Sequence, residues 1–248
     1  MDLASFFQNH PKTAVAFSGG VDSAFLLYAA VTYGTEIKAY FVKSAFQPRF
    51  ELEDAKRMAA CLHADLTVLE TDLLRTPEIT ENSAKRCYYC KKAIVTRIIK
   101  AAAEDGFSVV LDGTNASDQA DDRPGMQALK ECAIRSPLRE CGLTKADIRR
   151  LSKEAGLFTW DKPAYACLAT RIPSGSPITA EKLERTEYAE QVLSSLGLTD
   201  FRVRLFENAA NIQVPAAQLD AVMENRTRIV TELKPLYTNV FLDLEVRT

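Results

Sequence analysis

The chain has 248 residues, 47% of them hydrophobic and 26% charged, with 31 basic against 33 acidic side chains and a net charge of −2. That length can bury a large core and accommodates one large domain plus a smaller one, and the balanced charge argues against a general nucleic-acid binder. No apolar run reaches membrane-spanning length and Met1-Asp2-Leu3-Ala4 lacks a secretory pattern, so a cytoplasmic chain with no membrane partner is expected; its six cysteines then read as reactive thiols or ligands rather than disulfides.

In chain order, the apolar run 13–17 predicts a strand and 24–30 a helix, with Ser18-Gly19-Gly20-Val21-Asp22-Ser23 as the tight turn between them. Two glycines let the backbone approach an anion, while successive N–H groups, the positive helix end and the Ser18 and Ser23 hydroxyls face it. The spacing differs from Walker A and supplies no loop lysine. Asp22 is read either as a Mg²⁺ ligand or loop orienter, or as an acidic residue favouring the helix dipole. Strands are then predicted at 36–42, 65–70 and 108–111, helices at 50–61 and 91–103, and a further helix from the N-cap Thr144, with Asp147 three residues on and Gly156 as its stop.

This alternation predicts a doubly wound parallel sheet covered by helices. Ligands in such folds bind at the carboxyl ends of strands, where Ser18, Lys43-Ser44 and Asp112-Gly113-Thr114-Asn115 all fall. After about Trp160 a Pro- and Gly-punctuated stretch follows, so a nucleotide-binding domain is expected at 1–160 and a smaller α/β domain at 161–248, with helices at 179–196 and 216–234 and strands at 201–206, 211–214 and 240–244.

Arg86-Cys87-Tyr88-Tyr89-Cys90-Lys91-Lys92 places two thiols at metal-binding spacing, two of the three or four donors that zinc or iron–sulfur centres need; redox dithiols share the spacing. Cys167, in the loop-rich segment 163–171, is the best third donor, whereas Cys61, Cys132 and Cys141 sit in or beside helical patterns as small apolar residues. Arg202 and Arg204, two apart in a strand pattern, share a face and suit a phosphate that Arg171 could help enclose, or else a solvated sheet face. Glu190, and Asp122 with Arg123, have bland readings as an exposed helix glutamate and a loop salt bridge.

The 18–23 loop resembles the ATP-pyrophosphatase (PP-loop) family, which grips the pyrophosphate end of ATP and transfers AMP to an acceptor. Together with Cys87-to-Lys92, Asp112-Gly113-Thr114-Asn115 followed by Asp121-Asp122-Arg123-Pro124-Gly125, Cys167 with Arg171, and Arg202-Val203-Arg204, the chain is similar over about residues 13 to 206 to the LarE family within it. That resemblance implies an ATP-dependent sulfur transferase of nickel-pincer cofactor biosynthesis. It would adenylate a carboxylate of pyridinium-3,5-biscarboxylic acid mononucleotide, then replace AMP with sulfur.

By the same resemblance, Ser18, Gly19, Gly20, Val21, Asp22, Ser23, Lys43, Ser44, Gly113, Thr114, Asn115 and Arg123 would contact ATP and Mg²⁺. Arg171, Arg202 and Arg204 would bind substrate, and Cys167, Asp22, Arg171 and Glu190 would serve catalysis. Cys87, Cys90 and Cys167 would hold a [4Fe–4S] cluster that carries the sulfur; in another branch Cys167 itself is consumed. Homo-oligomers and other proteins of nickel-pincer synthesis are the implied partners. A PP-loop transfer-RNA thiolase, an amidating ligase and a non-catalytic nucleotide-binding protein are the competing readings.

Overall fold

The protein is described by a computed structural model that covers residues 2–33, 35–118 and 124–247. Two compact units make up the chain: residues 1–73 with 85–162, and residues 74–84 with 163–248. The excursion of 74–84 into the second unit is not announced by the composition.

In the first unit, α1 (Leu3–Asn9), β1 (Lys12–Ala16), α2 (Val21–Thr32), β2 (Glu36–Lys43), α3 (Arg49–Cys61) and β3 (Asp65–Glu70) follow one another. The second unit's short α4 (Pro77–Thr80) intervenes, then α5 (Arg86–Glu104), β4 (Val110–Leu111), α6 (Pro124–Glu131), α7 (Pro137–Glu140) and α8 (Lys145–Glu154) complete the first. The four strands pair in parallel in the order β3-β2-β1-β4.

Side-chain alternation along the strands explains why helices cover both faces. Val15, Ala39 and Phe41 point to one side, into a core with Ala24 and Leu27 of α2, Met58 of α3 and Ile148 of α8. Ala14, Tyr40, Val42 and Val110 point to the other, against Ile98, Ala101 and Ala102 of α5. The sheet is therefore doubly wound. Because the chain passes from β1 to β2 on one side and reaches β4 on the other, β1 marks the point where strand order reverses, the usual place for a ligand crevice.

The second unit carries α9 (Ala180–Ser195), β5 (Arg202–Phe206), β6 (Ala209–Gln213), α10 (Leu219–Glu224), α11 (Arg226–Leu233) and β7 (Val240–Leu242). β5 runs antiparallel to β6, and β6 parallel to β7. The single helix expected at 216–234 is broken at Asn225, whose side-chain amide donates to the Ala221 carbonyl at 2.9 Å and thereby competes with the helical ladder. Residues 74–84 belong here because buried Asn82, at φ 56°, donates its amide to the carbonyls of Ile172, Pro173 and Ser176 at 3.3, 2.8 and 3.0 Å. Asparagine is among the few non-glycine residues that tolerate this left-handed backbone.

Candidate active site

At the end of β1 the chain turns through Gly19, at φ 73°, into α2, with Gly20 as its N-cap. A side chain at Gly19 would need a left-handed backbone and would meet the Glu51 carbonyl oxygen at 3.0 Å. The Ser23 hydroxyl closes the loop: it accepts from the Ser18 N–H at 3.3 Å, lies 3.0 Å from the Ser18 hydroxyl and donates to the Gly20 carbonyl at 3.3 Å. Opposite, after β4, Gly113 approaches so closely that a Cβ there would stand 2.8 Å from the Ser23 backbone nitrogen. Two strand ends flanking the reversal point thus converge as the sequence predicts.

Asp112 anchors that second segment, accepting at 2.6 Å from both the Thr114 and Ser136 hydroxyls. The Asn115 amide carbonyl accepts from the Ser117 N–H at 2.8 Å, and its NH₂ donates to Asp22 Oδ1 at 3.4 Å. The other Asp22 oxygen meets Lys145 Nζ at 2.6 Å. Sequence reading missed Lys145: the cap at Thr144 was legible, but not a contact spanning 123 residues. Lys43 and Ser44 do lie at the end of β2, where both turn to Gln47. Lys43 Nζ donates to its carbonyl, while the Ser44 hydroxyl donates to its side-chain oxygen at 2.7 Å. Arg123 and the neighbouring Asp121 and Asp122 lie outside the described residues.

Cys87 and Cys90 occupy the start of α5, which begins at Arg86 instead of the expected Lys91. Their spacing of three puts both thiols on one side of a helix turn; Cys87 is exposed and Cys90 half-buried. An Arg86 guanidinium nitrogen lies 3.4 Å from the Cys87 sulfur. Among the described residues, no three His, Cys, Asp or Glu side chains come together as a metal site.

In the second unit, half-buried Cys167 caps the short 3₁₀ helix Leu168–Arg171. Arg171, expected among the substrate-binding arginines, is fully buried. Its Nε and Nη2 bond Glu190 at 2.6 and 3.3 Å, and its Nη1 donates to the Thr170 hydroxyl at 2.7 Å. Glu190, also buried instead of exposed, further accepts from the Tyr165 hydroxyl at 2.5 Å and the Val203 N–H at 3.0 Å. The Thr170 hydroxyl in turn donates to the Cys167 carbonyl at 2.8 Å, so the ion pair reaches the backbone of the thiol-bearing turn.

Arg202 and Arg204 share a face of β5 and brace the same segment, Arg202 donating to the Ala164 carbonyl at 2.6 Å and Arg204 to that of Thr170 at 3.1 Å. Burial first, and then the neighbouring Arg171 cation, pull Arg202 below the usual arginine range, although a guanidinium stays charged. Its only ion-pair partner among the described residues, Asp200 at 3.7 Å, is shared with Arg247 at 3.0 Å.

Residues 8–119 match the asparagine synthase family. Over 98% of its length the chain is 33% identical to pyridinium-3,5-bisthiocarboxylic acid mononucleotide synthase of Lactiplantibacillus plantarum, covering 89% of that protein. It belongs to the LarE family. Two further relatives are the uncharacterized protein slr1717 of Synechocystis, 37% identical with 98% of this chain and 92% of that protein covered, and the uncharacterized protein MJ0830 of Methanocaldococcus jannaschii, 30% identical with 99% and 94% covered. As a LarE-family protein with a PP-loop domain, the chain is an ATP-dependent enzyme. No helix among the described residues is long and apolar enough to cross a membrane.

Proposed function

We propose that this LarE-family protein is a cytoplasmic sulfur transferase that converts a carboxylate of pyridinium-3,5-biscarboxylic acid mononucleotide to a thiocarboxylate. The carrying observation is the Ser18-to-Ser23 loop packed against Gly113 at the point of strand reversal, a cradle of backbone N–H groups that a single Cβ would obstruct. The Lactiplantibacillus relative is named for making pyridinium-3,5-bisthiocarboxylic acid mononucleotide, and the corresponding dicarboxylate is the substrate that such a product implies. A carboxylate oxygen attacks the α-phosphorus of ATP and pyrophosphate leaves. Hydrosulfide then adds to the acyl carbon, AMP departs with the electrons of the C–O bond and a proton is lost to water, leaving the thiocarboxylate. A cysteine thiolate would instead give a thioester, released as thiocarboxylate only when the cysteine's Cβ–S bond breaks by β-elimination. Asp22 would hold Mg²⁺, which screens the phosphate oxygens during the first step.

For the substrate's phosphate, the arginines of the second unit favour an anion. Arg171, Arg202, Arg204 and Arg247 outnumber Glu190 and Asp200, and the Arg171–Glu190 pair neutralises itself, leaving Arg202 and Arg204 to meet the ligand. Arg171 and Glu190 serve as positioning residues for Cys167 through Thr170.

Cys87, Cys90 and Cys167 are the proposed thiol ligands of a [4Fe–4S] cluster. Cys87 and Cys90, on one side of α5, supply two of those three thiols. When bound, such a cluster with one iron left open supplies a place for exogenous sulfide. Exposed Phe206, Phe241 and Leu244 on the second unit favour a homo-oligomer.

Anaerobic purification with iron and sulfide quantitation, plus intact mass before and after turnover, tests the sulfur route. About four irons and four sulfides per chain, lost in Cys87→Ala and Cys167→Ala, with unchanged mass after turnover, is the expected result. Loss of about one H₂S from a metal-free chain would instead show Cys167 being consumed.

A further inference from the structure

The chain crosses between its two units after Leu73, after Ala84 and after Lys162, and only the last crossing leads directly to Cys167. Residues 162–167 form neither helix nor strand, yet the chain is held on each side of Pro163. Before it, Arg149 of α8 donates through Nη1 to the Trp160 carbonyl and through Nη2 to the Lys162 carbonyl, both at 2.8 Å. Lys162 Nζ reaches Asp54 of α3 at 2.6 Å, with only 20% and 28% of the two side chains accessible. After it, within the second unit, the Ala164 carbonyl accepts from Arg202 at 2.6 Å and the Tyr165 hydroxyl donates to Glu190 at 2.5 Å. Between these grips stands Pro163, whose ring fixes φ and restricts the residue before it. The grip of the first unit is built from helices that pack around the PP-loop. Glu51 and Ala55, whose backbone atoms would stand 3.0 and 3.2 Å from a Cβ at Gly19, flank Asp54 on α3. Ile148, next to Arg149, packs α8 into the core that holds Leu27 of α2.

We propose that Arg149 is a positioning residue for the transfer steps: with the Asp54–Lys162 pair it holds the first unit's end of the joint at Pro163, from which the Cys167 segment departs. The proposal rests on the sulfur-transferase reading. Activated carboxylate and attacking sulfur react only when they are brought close and aligned, so a joint left free to wander dilutes that geometry. Two carbonyls two residues apart suit a guanidinium, whose planar fork offers several N–H donors in fixed directions. An ammonium at the same place is a single point charge on a flexible stem, so lysine does not replace this arginine. The exposed neighbour Arg150 pairs with Asp147 and Glu154 of its own helix and serves as the control.

Wild type, Arg149→Lys, Asp54→Asn, Pro163→Gly and the control Arg150→Ala are compared for Mg–ATP affinity by calorimetry, for urea midpoint, and for turnover with ATP, pyridinium-3,5-biscarboxylic acid mononucleotide and sulfide. Lost alignment should lower kcat for thiocarboxylate formation by about 10- to 100-fold in Arg149→Lys and Pro163→Gly. Asp54→Asn should fall in the same direction, all three should keep Mg–ATP affinity and urea midpoint close to wild type, and Arg150→Ala should match wild type throughout. An unchanged kcat in Arg149→Lys would show that the grip is dispensable. A fall in kcat matched by weaker Mg–ATP binding and a lower urea midpoint would show that it only supports the fold; either overturns the proposal. Hydrogen exchange read by mass spectrometry needs no turnover. Residues 160–166 should exchange faster in Arg149→Lys while α8 stays protected, and unchanged exchange there refutes the grip. A wild-type chain that forms no thiocarboxylate while the variant shows this exchange pattern would overturn the sulfur-transferase reading, and the positioning role with it, but leave the grip standing.

Discussion

Glu190 shows how far one side chain's role can depart from what its neighbours in sequence suggest. A glutamate midway along α9 reads as a solvated helix face, but here it is 5% exposed and accepts from Arg171, Tyr165 and the Val203 N–H. Truncating one partner of a buried pair costs more than the pair itself contributes, because the remaining charge is stranded. Glu190→Ala should therefore lower unfolding free energy by about 3–5 kcal/mol, whereas Glu190→Ala combined with Arg171→Ala should recover part of that loss. Urea titrations of the three proteins measure both; a double variant no better than the single would mean that the Arg171 charge is not what is stranded. Sequence reading singled out Arg171 and Glu190 as functional but could not foresee that they pair with each other. That pairing arises from the packing of α9 against β5 and the 3₁₀ turn, which are separate segments of the chain.

At the scale of elements, the parallel strands were legible because burial on both faces demands unbroken apolar runs, and their ends were legible because glycine marks where the backbone must approach closely. The start of α5 was not. Arg86-Cys87-Tyr88-Tyr89 has no side-chain N-cap and no acidic first turn, so nothing local announces that the helix already includes both cysteines. Nor was the allegiance of residues 74–84, which rests on the Asn82 amide together with backbone bonds from the Gly175 N–H to the Asn82 carbonyl and from the Ile178 N–H to that of Thr80. Replacing Asn82 by Ala leaves the carbonyls of Ile172, Pro173 and Ser176 without its amide and removes the short polar side chain that lets asparagine tolerate φ 56°. Unsatisfied buried groups imply a loss of about 2–4 kcal/mol. Asn82→Gly, which relieves the backbone but not the bonds, should be less damaging than Asn82→Ala by roughly 1 kcal/mol. Chemical denaturation ranks the two, and limited proteolysis should cut within 74–84 faster in both; equal stabilities for Ala and Gly would remove the backbone part of the argument.

Across the whole molecule, carboxylates held below their usual range set the response to acid. Lys38 and then the Tyr40 hydroxyl lower Asp105 by hydrogen bonding, Tyr88 and Lys92 do the same for Glu131, Arg135 for Glu140, and the Thr144 cap for Asp147. In the second unit the Gln213 amide is the leading cause for Asp243. Each group binds its proton more weakly when folded than when unfolded. Its stabilisation is therefore fully present above the unfolded carboxylate pKa of about 4 and disappears as pH falls through the lower folded value. Both units should lose stability together below about pH 4 instead of one unfolding while the other persists. Asp105→Asn should flatten the dependence, because one amide then replaces a carboxylate that gathers Lys38 and Tyr40 at 2.7 and 2.6 Å. The urea midpoint followed from pH 7 down to pH 3 in wild type and Asp105→Asn measures this. A variant curve parallel to wild type over that whole range would show that Asp105 has no part in the acid response, leaving it to the other lowered carboxylates.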